Sequence, residues 1–578
     1  MSQIIVFATP VFLLMMLAEW GLSRRANSRT AGRPAYGLSD AINSLSLGIL
    51  SQLSDLFTKL FTIGLYTLLY NALWETPDAP LWSTWYGALL ALVLYDFCYY
   101  WLHRGGHRVA VLWAAHAVHH QSQHYNLSTA LRQTSSGALL GWVFYVPMAV
   151  IGVPPLLFGI VALVDLLYQF WVHTEQVGKL GWFDRVFCSP SNHRVHHAVN
   201  DDYLDKNYGG ILVLWDRWFG TFKEEAAPCV YGTRGALNSW DPLWANGAVY
   251  WALLKDSWHT RSWADKLRVW MKPPGWRPAD VLAQLPKSAF DIRQVQTYAP
   301  PVRAATQWFA ALQFFWLMAG VLVVLWHAER WPMHITAIWS GVLISGFWAL
   351  GAVLQGRLDR LEMLLIEAAA VATASGALGL LQVHVAFKPL ALLVAITFIA
   401  SRAMQTRARG RFDLILLGAL LASLVGDVLL MQSDAYFIPG LVAFLVAHGF
   451  YIALFLQDSP RFPSGRALLG TLGVGAAMLV WLWGGLTDPS LKIAVPVYVG
   501  VIALMAAQAI GRATVLRDAR AWGVAVGALV FMLSDALIAV NRFVLPLPLA
   551  PLWILSSYYL AQCLIVHNAR RSPLGTGS

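Results

Sequence analysis

The sequence is poor in charged residues. Only 12% of its 578 residues are Asp, Glu, Lys or Arg, and 57% are hydrophobic, whereas soluble domains carry about 25% charged residues. Apolar stretches long enough to cross a bilayer recur along the whole chain, which excludes an ordinary soluble domain and predicts an all-α, multi-pass integral membrane protein. The first stretch, residues 1–20, has no small-residue cleavage site, so we interpret it as an uncleaved span.

Cysteine is also scarce. The four cysteines, Cys98, Cys188, Cys229 and Cys563, are scattered along the chain. Without paired spacing they indicate neither a disulfide framework nor a thiolate metal site. The sequence also lacks a Gly-rich phosphate-binding loop and a dinucleotide-binding fingerprint, which argues against a nucleotide site.

The net charge of +10 does not indicate a nucleic-acid partner, because the basic residues are confined to particular loops. Arginines cluster in alternate loops, near 24–33, 402–411, 461–466, 512–520 and 570–571. The intervening loops near 75–78, 432–434 and 487–488 are almost free of them. This alternation follows the positive-inside rule and predicts an external N-terminus and a cytoplasmic C-terminus.

Nine histidines form the most informative pattern. One box has the spacing HxxxH, two have the spacing HxxHH, and one histidine stands alone: His103 and His107; His116, His119 and His120; His193, His196 and His197; and His173. Offsets of three and four residues place side chains on one face of a helix. Counting spans brings all nine histidines to the same cytoplasmic layer.

So many imidazoles predict more than one metal ion. Imidazole binds zinc, copper and iron, but a structural zinc site needs only about four ligands. Eight or nine imidazoles therefore predict two metal ions with open coordination positions. A di-iron centre that activates oxygen beside lipid chains is the hypothesis that we favour.

The boxes resemble those of the fatty acid hydroxylase/sterol desaturase superfamily. Over about residues 1–300, the flanking segments 96–104, 125–133, 171–175 and 205–222 are similar to alkylglycerol monooxygenases. The resemblance implies a membrane-bound di-iron domain over 1–300 that hydroxylates the carbon next to an ether oxygen, so that a fatty aldehyde is released. It also implies two iron ions, molecular oxygen, and tetrahydrobiopterin or another pterin supplied by a recycling system.

Two departures from the family pattern concern the pterin and the substrate. Arg108 follows His107 where the resemblance leads us to expect an acidic residue, and Gln123-His124 replaces an acidic pair. We expect His124 to lie outside the metal ligands. Asp96 and Asp165 lie inside spans, and we expect each to orient a histidine ligand, because a buried acid in a membrane is costly unless it is paired or functional. Gln169 lies four residues before His173 on the same helix face and is expected to be a weak metal ligand or a partner of that histidine.

The last seven or eight predicted spans contain few ionisable groups. Four of them lie at shallow or middle depth: Lys388, Asp427, His448 and Asp535. Because charged side chains are costly in a membrane, we expect these four to line one polar site in the outer half of the bilayer.

The residues around this predicted site resemble the YhhN/lysoplasmalogenase family over about 361–570, in the segments 387–389, 426–427, 440–451, 531–535 and 558–562. The resemblance implies a membrane domain at 361–578, joined to the first domain by transmembrane helices at 301–360, that hydrolyses the vinyl ether of lysoplasmalogens. Cleavage requires protonation of an alkene carbon. A neutral acid together with an ionised carboxylate could therefore catalyse the hydrolysis. We assign Asp427 and Asp535 to this pair, with His448 and Lys388 in support, and leave open which aspartate is the acid.

Three functions follow from these features. The first is an oxygen-dependent enzyme that degrades ether lipids in the bilayer by both reactions, located in the inner or plasma membrane of a bacterium or the endoplasmic reticulum of a eukaryote, with its histidines facing the cytoplasm. The second is a di-iron hydroxylase of sterol, carotenoid or fatty acyl substrates with a non-catalytic, lipid-binding C-terminal domain. The third, a transporter or lipid-binding protein, carries no chemistry in its C-terminal helices.

Overall fold

The computed structural model describes residues 2–25, 34–74, 80–405 and 410–571. Within these ranges the chain is helical, and only two isolated β-bridges occur, Phe187–Leu212 and Ala198–Tyr231. This confirms the predicted all-α class. The loop residues 26–33, 75–79 and 406–409, whose charges entered the prediction of topology, lie outside the described residues.

The chain divides into two compact units, Met1–Thr336 with Leu350–Arg357, and Ala337–Ala349 with Leu358–Ser578. The described helices of the first unit are α1 (Ser2–Arg25), α2 (Leu38–Lys59), α3 (Leu65–Leu73), α4 (Trp85–Arg108), α5 (Ala110–His120), α6 (Leu127–Ala130), α7 (Gly137–Gly141), α8 (Val146–Val150), α9 (Pro155–Trp171), α10 (Phe183–Val186), α11 (Pro190–His197), α12 (Leu214–Trp218), α13 (Pro242–His259), α14 (Trp263–Met271), α15 (Ala279–Gln284) and α16 (Ala304–His327). Helix α17 (Met333–Leu354) contributes residues to both units.

The second unit contains a bundle of helices, as predicted. Its described helices are α18 (Arg360–Ala377), α19 (Leu381–Gln405), α20 (Gly410–Leu430), α21 (Phe437–Phe455), α22 (Gly465–Leu482), α23 (Pro489–Leu516), α24 (Ala519–Phe543) and α25 (Ala550–Asn568). Most successive helices pack against each other, but α21 packs mainly on α20 and α23, and α25 also packs on α18. Many buried core residues are alanine, which lets membrane helices approach closely.

Long apolar helices confirm that the protein is an integral, multi-pass membrane protein. Among the described residues, nine helices are long and apolar enough to cross a bilayer, or ten if the bent pair Leu38–Thr58 and Leu60–Leu73 is one span. The apolar segment at 134–152 does not form one continuous helix: α7 and α8 are separated by a 3₁₀ turn at Trp142–Tyr145. Pro147 explains the break, because it has no N–H to donate to the carbonyl of Val143.

The chain turns between α8 and α9 at a glycine. Gly152 has a φ of +84°, and an added Cβ would lie 2.9 Å from the ring of Trp74. Only glycine adopts this left-handed conformation without strain, so the chain turns here into α9. Helix α9 then packs on α4 and leads to His173.

Buried Arg132 ties the segment after α6 to two helices of the first unit. Its guanidinium donates to the carbonyl of Val118 at 2.7 Å, to Asn43 Oδ1 at 2.8 Å and to Gln121 Oε1 at 3.1 Å. These contacts connect the C-terminal half of α5 to α2. Because α5 carries the second histidine box, Arg132 fixes the position of that box within the unit.

Candidate metal centre and intramembrane acid site

All nine predicted histidines come together in the first unit, in two groups. Within each group, one nitrogen from each imidazole lies within 4.8 Å of the others. We name them group A, which is His103, His107, His116, His120 and His196, and group B, which is His119, His173, His193 and His197.

Each HxxHH box contributes to both groups. In α5, His116 and His120 are four residues apart and belong to group A, whereas His119 belongs to group B. In α11 the assignment is reversed, because His193 and His197 belong to group B and His196 belongs to group A. At 3.6 residues per turn, positions i and i+4 share a face and position i+3 lies to one side of it. The adjacent histidines therefore point to different groups.

Backbone carbonyls fix the orientation of four of these rings. In each case Nδ1 lies 2.8–2.9 Å from a carbonyl oxygen: His103 from Tyr208, His119 from Arg132, His173 from Gln169, and His196 from Lys206. A carbonyl oxygen only accepts, so Nδ1 carries the proton and Nε2 of the neutral ring keeps its lone pair. Histidines that bind metal ions are generally held in this way.

Three Nε2 atoms of group B converge, and two of them have no proton between them. Nε2 of His173 lies 3.1 Å from Nε2 of His119 and 3.1 Å from Nε2 of His193. Because His119 and His173 both carry their proton on Nδ1, two lone pairs face each other between their Nε2 atoms. A cation bound between the rings would remove this repulsion.

Nε2 atoms also converge in group A. Nε2 of His116 lies 3.1 Å from Nε2 of His103 and 3.0 Å from Nε2 of His120. Nε2 of His107 and Nε2 of His196 are buried and have no hydrogen-bond partner among the described residues. Buried polar atoms without a partner are rare unless they serve a ligand. The donor set therefore fits a metal ion in each group and is consistent with iron.

Burial keeps the imidazoles neutral. It lowers the pKa of His119 to about 4, and it lowers the pKa of His193, His196 and His197 well below the usual value for histidine. Neutral imidazole is the form that binds metal ions.

Asp96 has a different role from the one predicted. Its carboxylate accepts from the backbone N–H groups of Ile211 and Leu212, at 2.7 and 3.0 Å, and from Nε1 of Trp215 at 2.8 Å. It therefore fixes the loop after α11 to α4, and this loop supplies the carbonyl of Tyr208 to His103. Asp96 therefore supports His103 through the main chain of this loop.

Gln169 and Asp165 act together. The side chain of Gln169 donates to Asp165 at 2.6 Å and accepts from the hydroxyl of Tyr99 at 2.7 Å, while its backbone carbonyl accepts from His173. Asp165 thus holds Gln169 rather than a histidine. The predicted help to His173 comes from the main chain of Gln169, which no side-chain pattern could reveal.

His107 lies near an acidic side chain, although the next residue in the sequence is Arg108. Asp205 lies 3.6 Å from Nδ1 of His107 and 3.4 Å from Arg108. Arg108 therefore pairs with the acid instead of replacing it. Among the described residues His124 belongs to neither histidine group, and its Nδ1 lies 3.2 Å from the carbonyl of Pro34.

A buried ion pair that the sequence analysis missed links the third box to the chain after His173. Arg194 is bonded to Glu225 at 2.9 and 2.7 Å and donates to the carbonyls of Thr174 and Val177 at 3.0 and 2.8 Å. An arginine between box histidines was visible in the sequence, but its partner lies 31 residues away.

Arg194→Met is expected to lower the stability of the first unit by about 2 kcal/mol, because it leaves the partly buried carboxylate of Glu225 without its partner. The measurement is the melting temperature of the purified protein in lipid nanodiscs. Lys179→Met is the matched control, since Lys179 forms an exposed pair with the neighbouring Glu224. Equal melting temperatures for the two variants would contradict the structural role of Arg194.

In the second unit, Lys388 and Asp427 form an ion pair. Nζ of Lys388 lies 3.4 Å from Oδ1 of Asp427, and the hydroxyl of Tyr558 donates to Oδ2 at 2.7 Å. Tyr559 donates to the backbone carbonyl of Lys388 at 3.1 Å. We name Lys388, Asp427 and Tyr558 the lysine cluster.

His448 and Asp535 lie in a second cluster together with a residue that the sequence analysis missed. The hydroxyl of Tyr498 donates to Oδ2 of Asp535 at 2.6 Å and lies 3.0 Å from Nε2 of His448. We name these three residues the tyrosine–histidine cluster. Tyr498 is the only aromatic residue in α23, and this isolation in an apolar helix was the signal that could have identified it.

The two clusters meet the same aromatic side chain. The ring of Phe531 packs edge-on against His448 at 4.9 Å and against Tyr558 at 5.5 Å, measured between ring centroids. The four residues predicted from the sequence therefore lie around one part of the bundle, but in two separate hydrogen-bonded clusters.

Two protein-family models match the chain, one in each half of the sequence. The fatty acid hydroxylase family model matches residues 88–221, and the YhhN family model matches residues 383–569. The first match contains all nine histidines, and the second contains both clusters of the bundle. No solved structure is significantly similar to the chain.

Curated relatives match each half separately. Alkylglycerol monooxygenase of Homo sapiens is 39% identical over 277 residues, which are 47% of this chain and 59% of the relative. The same enzyme of Danio rerio is 37% identical over 318 residues, which are 54% of this chain and 68% of the relative. Lysoplasmalogenase TMEM86B of Homo sapiens is 39% identical over 165 residues, which are 28% of this chain and 67% of the relative. Both resemblances inferred from the motifs are confirmed.

Proposed function

The chain belongs to the alkylglycerol monooxygenase family in its N-terminal half and to the YhhN family over residues 383–569, and from this premise we propose that it is an ether-lipid degrading membrane enzyme with two active sites. One site oxidises alkylglycerols and the other hydrolyses lysoplasmalogens. Because the chain spans 59% of the human and 68% of the zebrafish monooxygenase, the activity is inferred from the sites themselves as well as from the relatives.

The first site uses groups A and B to hold one iron ion each. The observation that carries this proposal is the convergence of Nε2 atoms that have no proton between them. Bound iron supplies oxygen activation. The carbonyls of Tyr208, Arg132, Gln169 and Lys206 keep the Nδ1 protons in place, so that the lone pairs of Nε2 stay directed inwards.

The reaction at this site is hydroxylation of the carbon next to the ether oxygen of an alkylglycerol. The product is a hemiacetal, which collapses to a fatty aldehyde and a glycerol derivative. The basic loops support a cytoplasmic position of the histidines, and the membrane is the inner or plasma membrane if the source is bacterial or the endoplasmic reticulum if it is eukaryotic.

The reductant is a pterin such as tetrahydrobiopterin, maintained by a recycling system. Two positions where the resemblance led us to expect acidic side chains make other contacts. Arg108 pairs with Asp205, and Gln123 bonds to the backbone of Gln296 and Tyr298 at 2.9 and 2.7 Å.

The second site uses Asp427 and Asp535, supported by Lys388 and His448, to cleave the vinyl ether of a lysoplasmalogen. Protonation of the outer alkene carbon, addition of water and collapse of the hemiacetal release a fatty aldehyde and a lysophospholipid head. The ion pair at Asp427 and the hydrogen-bonded carboxyl at Asp535 provide two carboxyl groups in different surroundings, as this chemistry requires.

Membranes that contain the protein are expected to release fatty aldehyde from both substrates with different requirements. Release from an alkylglycerol needs oxygen and a reduced pterin, whereas release from a lysoplasmalogen needs neither, since hydrolysis consumes only water. The measurement is the amount of aldehyde formed with and without the pterin.

Sterol, carotenoid and fatty acyl substrates are tested in parallel. Hydroxylation of one of these without aldehyde release from either ether lipid would overturn the proposal in favour of a different lipid hydroxylase. Membranes from cells that lack the protein provide the background.

A further inference from the structure

We propose that Asp535 is the acid that protonates the vinyl ether, that Tyr498 positions and supports it, and that Asp427 remains ionised throughout the reaction. This inference rests on the proposed lysoplasmalogen hydrolysis and assigns a separate role to each carboxyl group of that site.

The surroundings of Asp427 favour a permanent carboxylate. One oxygen faces the ammonium group of Lys388 at 3.4 Å, and the other accepts from the hydroxyl of Tyr558 at 2.7 Å. Both oxygens are thus engaged by donors, and one donor is a cation. A proton on either oxygen would remove a charge-assisted contact in a buried site and leave Lys388 without its counter-ion.

The surroundings of Asp535 are neutral instead. The contacts described for this carboxyl group both end on Oδ2, which accepts from the hydroxyl of Tyr498 at 2.6 Å and lies 3.4 Å from Nε2 of His448, so Oδ1 is left to carry a proton. A carboxyl group without a cationic partner is less costly to bury when it is neutral. Asp535 is also the more accessible acid, with 14% of its side chain exposed against 3% for Asp427.

His448 is neutral in this arrangement. Its Nδ1 is buried and has no hydrogen-bond partner in the part of the chain that the structure describes, so a second ring proton would create a buried, unsatisfied N–H. With Tyr498 donating to Asp535, the oxygen of Tyr498 accepts from Nε2 of His448. A directed chain of hydrogen bonds therefore runs from His448 through Tyr498 to Asp535.

This chain supports Asp535 after it has lost its proton. Oδ1–H of Asp535 gives its proton to the outer alkene carbon, whose π electrons form the new C–H bond, and positive charge develops at the carbon next to the ether oxygen. The new carboxylate keeps the hydrogen bond from Tyr498. It then takes a proton from water as the water oxygen bonds to the cationic carbon, which regenerates the acid.

Hydrolysis is completed without another reactant. The hemiacetal collapses when its C–O bond to the lysolipid breaks, and the hydroxyl proton passes to the departing oxygen. One water is consumed and no redox partner is needed. Throughout the reaction, Asp427 supplies fixed negative charge near the cationic carbon of the substrate but transfers no proton.

The test uses the full chain in lipid nanodiscs with an alkenyl lysophospholipid as substrate. Tyr498→Phe is expected to lower kcat about 10- to 100-fold with KM unchanged, because the conjugate base of Asp535 loses its support while binding does not. The solvent deuterium isotope effect on kcat is expected to rise, since proton transfer to carbon then limits the rate. Aldehyde formed in D₂O carries one deuterium on the carbon next to the carbonyl.

Tyr558→Phe is the matched comparison, because it removes the same hydroxyl from Asp427. It is expected to lower kcat but to leave the isotope effect at the wild-type value. Tyr436→Phe, at an exposed position of the same unit, is expected to change neither quantity. Should Tyr498→Phe fail to fold, His448→Met replaces it, because this variant removes the donor to Tyr498 and is expected to raise the isotope effect in the same way.

Two failures are distinguishable. Wild-type protein that releases no aldehyde from the lysophospholipid would overturn the proposed hydrolysis itself. Active wild-type protein in which Tyr558→Phe raises the isotope effect and Tyr498→Phe does not, or in which both variants behave alike, would overturn only the assignment of Asp535 as the acid.

Discussion

His119→Ala is expected to halve the iron content of the purified protein and to reduce aldehyde release from an alkylglycerol at least about 1,000-fold. His119 is central to group B, since its Nε2 faces that of His173 at 3.1 Å and its Nδ1 is bonded to the carbonyl of Arg132. Its loss leaves group B with three imidazoles. The measurements are iron by elemental analysis and aldehyde by chromatography.

His124→Ala is the control for this experiment. It makes the same chemical change five residues away, but His124 lies outside both groups and its Nδ1 is near the carbonyl of Pro34. Iron content and activity are expected to stay close to those of the wild type. A His119→Ala protein that keeps its full iron content and its activity would exclude the di-iron proposal.

Asp535→Asn and Asp427→Asn are each expected to reduce lysoplasmalogen hydrolysis at least about 100-fold while iron content and pterin-dependent oxidation of alkylglycerols stay unchanged. Asparagine at 535 keeps the shape of the neutral carboxyl but carries no transferable proton. Asparagine at 427 leaves Lys388 without its partner, so this variant is also expected to be less stable.

Asp434→Asn is the control, because 90% of the side chain of Asp434 is exposed. It is expected to retain both activities. Full hydrolytic activity in the 427 and 535 variants would favour the view that the C-terminal helices bind lipid without chemistry. Loss of alkylglycerol oxidation in the same variants would contradict the assignment of the two reactions to separate sites.

The ligands of the candidate metal centre were predictable, but the way in which they are shared was not. Spacings of three and four residues identify histidines on common helix faces. They do not reveal that His119 belongs to group B with His193 and His197, whereas the other two histidines of its box belong to group A. This division depends on how α5 and α11 face each other. The partners of the Nδ1 atoms were equally hidden, since any residue supplies a backbone carbonyl.

The residues of the acid site were also predictable only in part. The position of ionisable residues inside apolar spans identified Lys388, Asp427, His448 and Asp535, because burying such groups in a membrane is costly without a purpose. Tyr498 was not predicted, because burying a tyrosine in a membrane helix costs too little free energy to indicate a functional site. Its contacts with His448 and Asp535 join three different helices and depend on the packing of the bundle.

By itself, the sequence determined that this is an all-α membrane protein, that nine histidines are its metal-ligand candidates, and that two families are joined in one chain. These properties depend on composition, spacing and local motifs. Only the tertiary structure decided that the histidines form groups of five and four and that the two aspartates have different partners. Such properties depend on distances between residues that are far apart in the chain, and these distances are set by helix packing and by backbone carbonyls that carry no signature in the sequence.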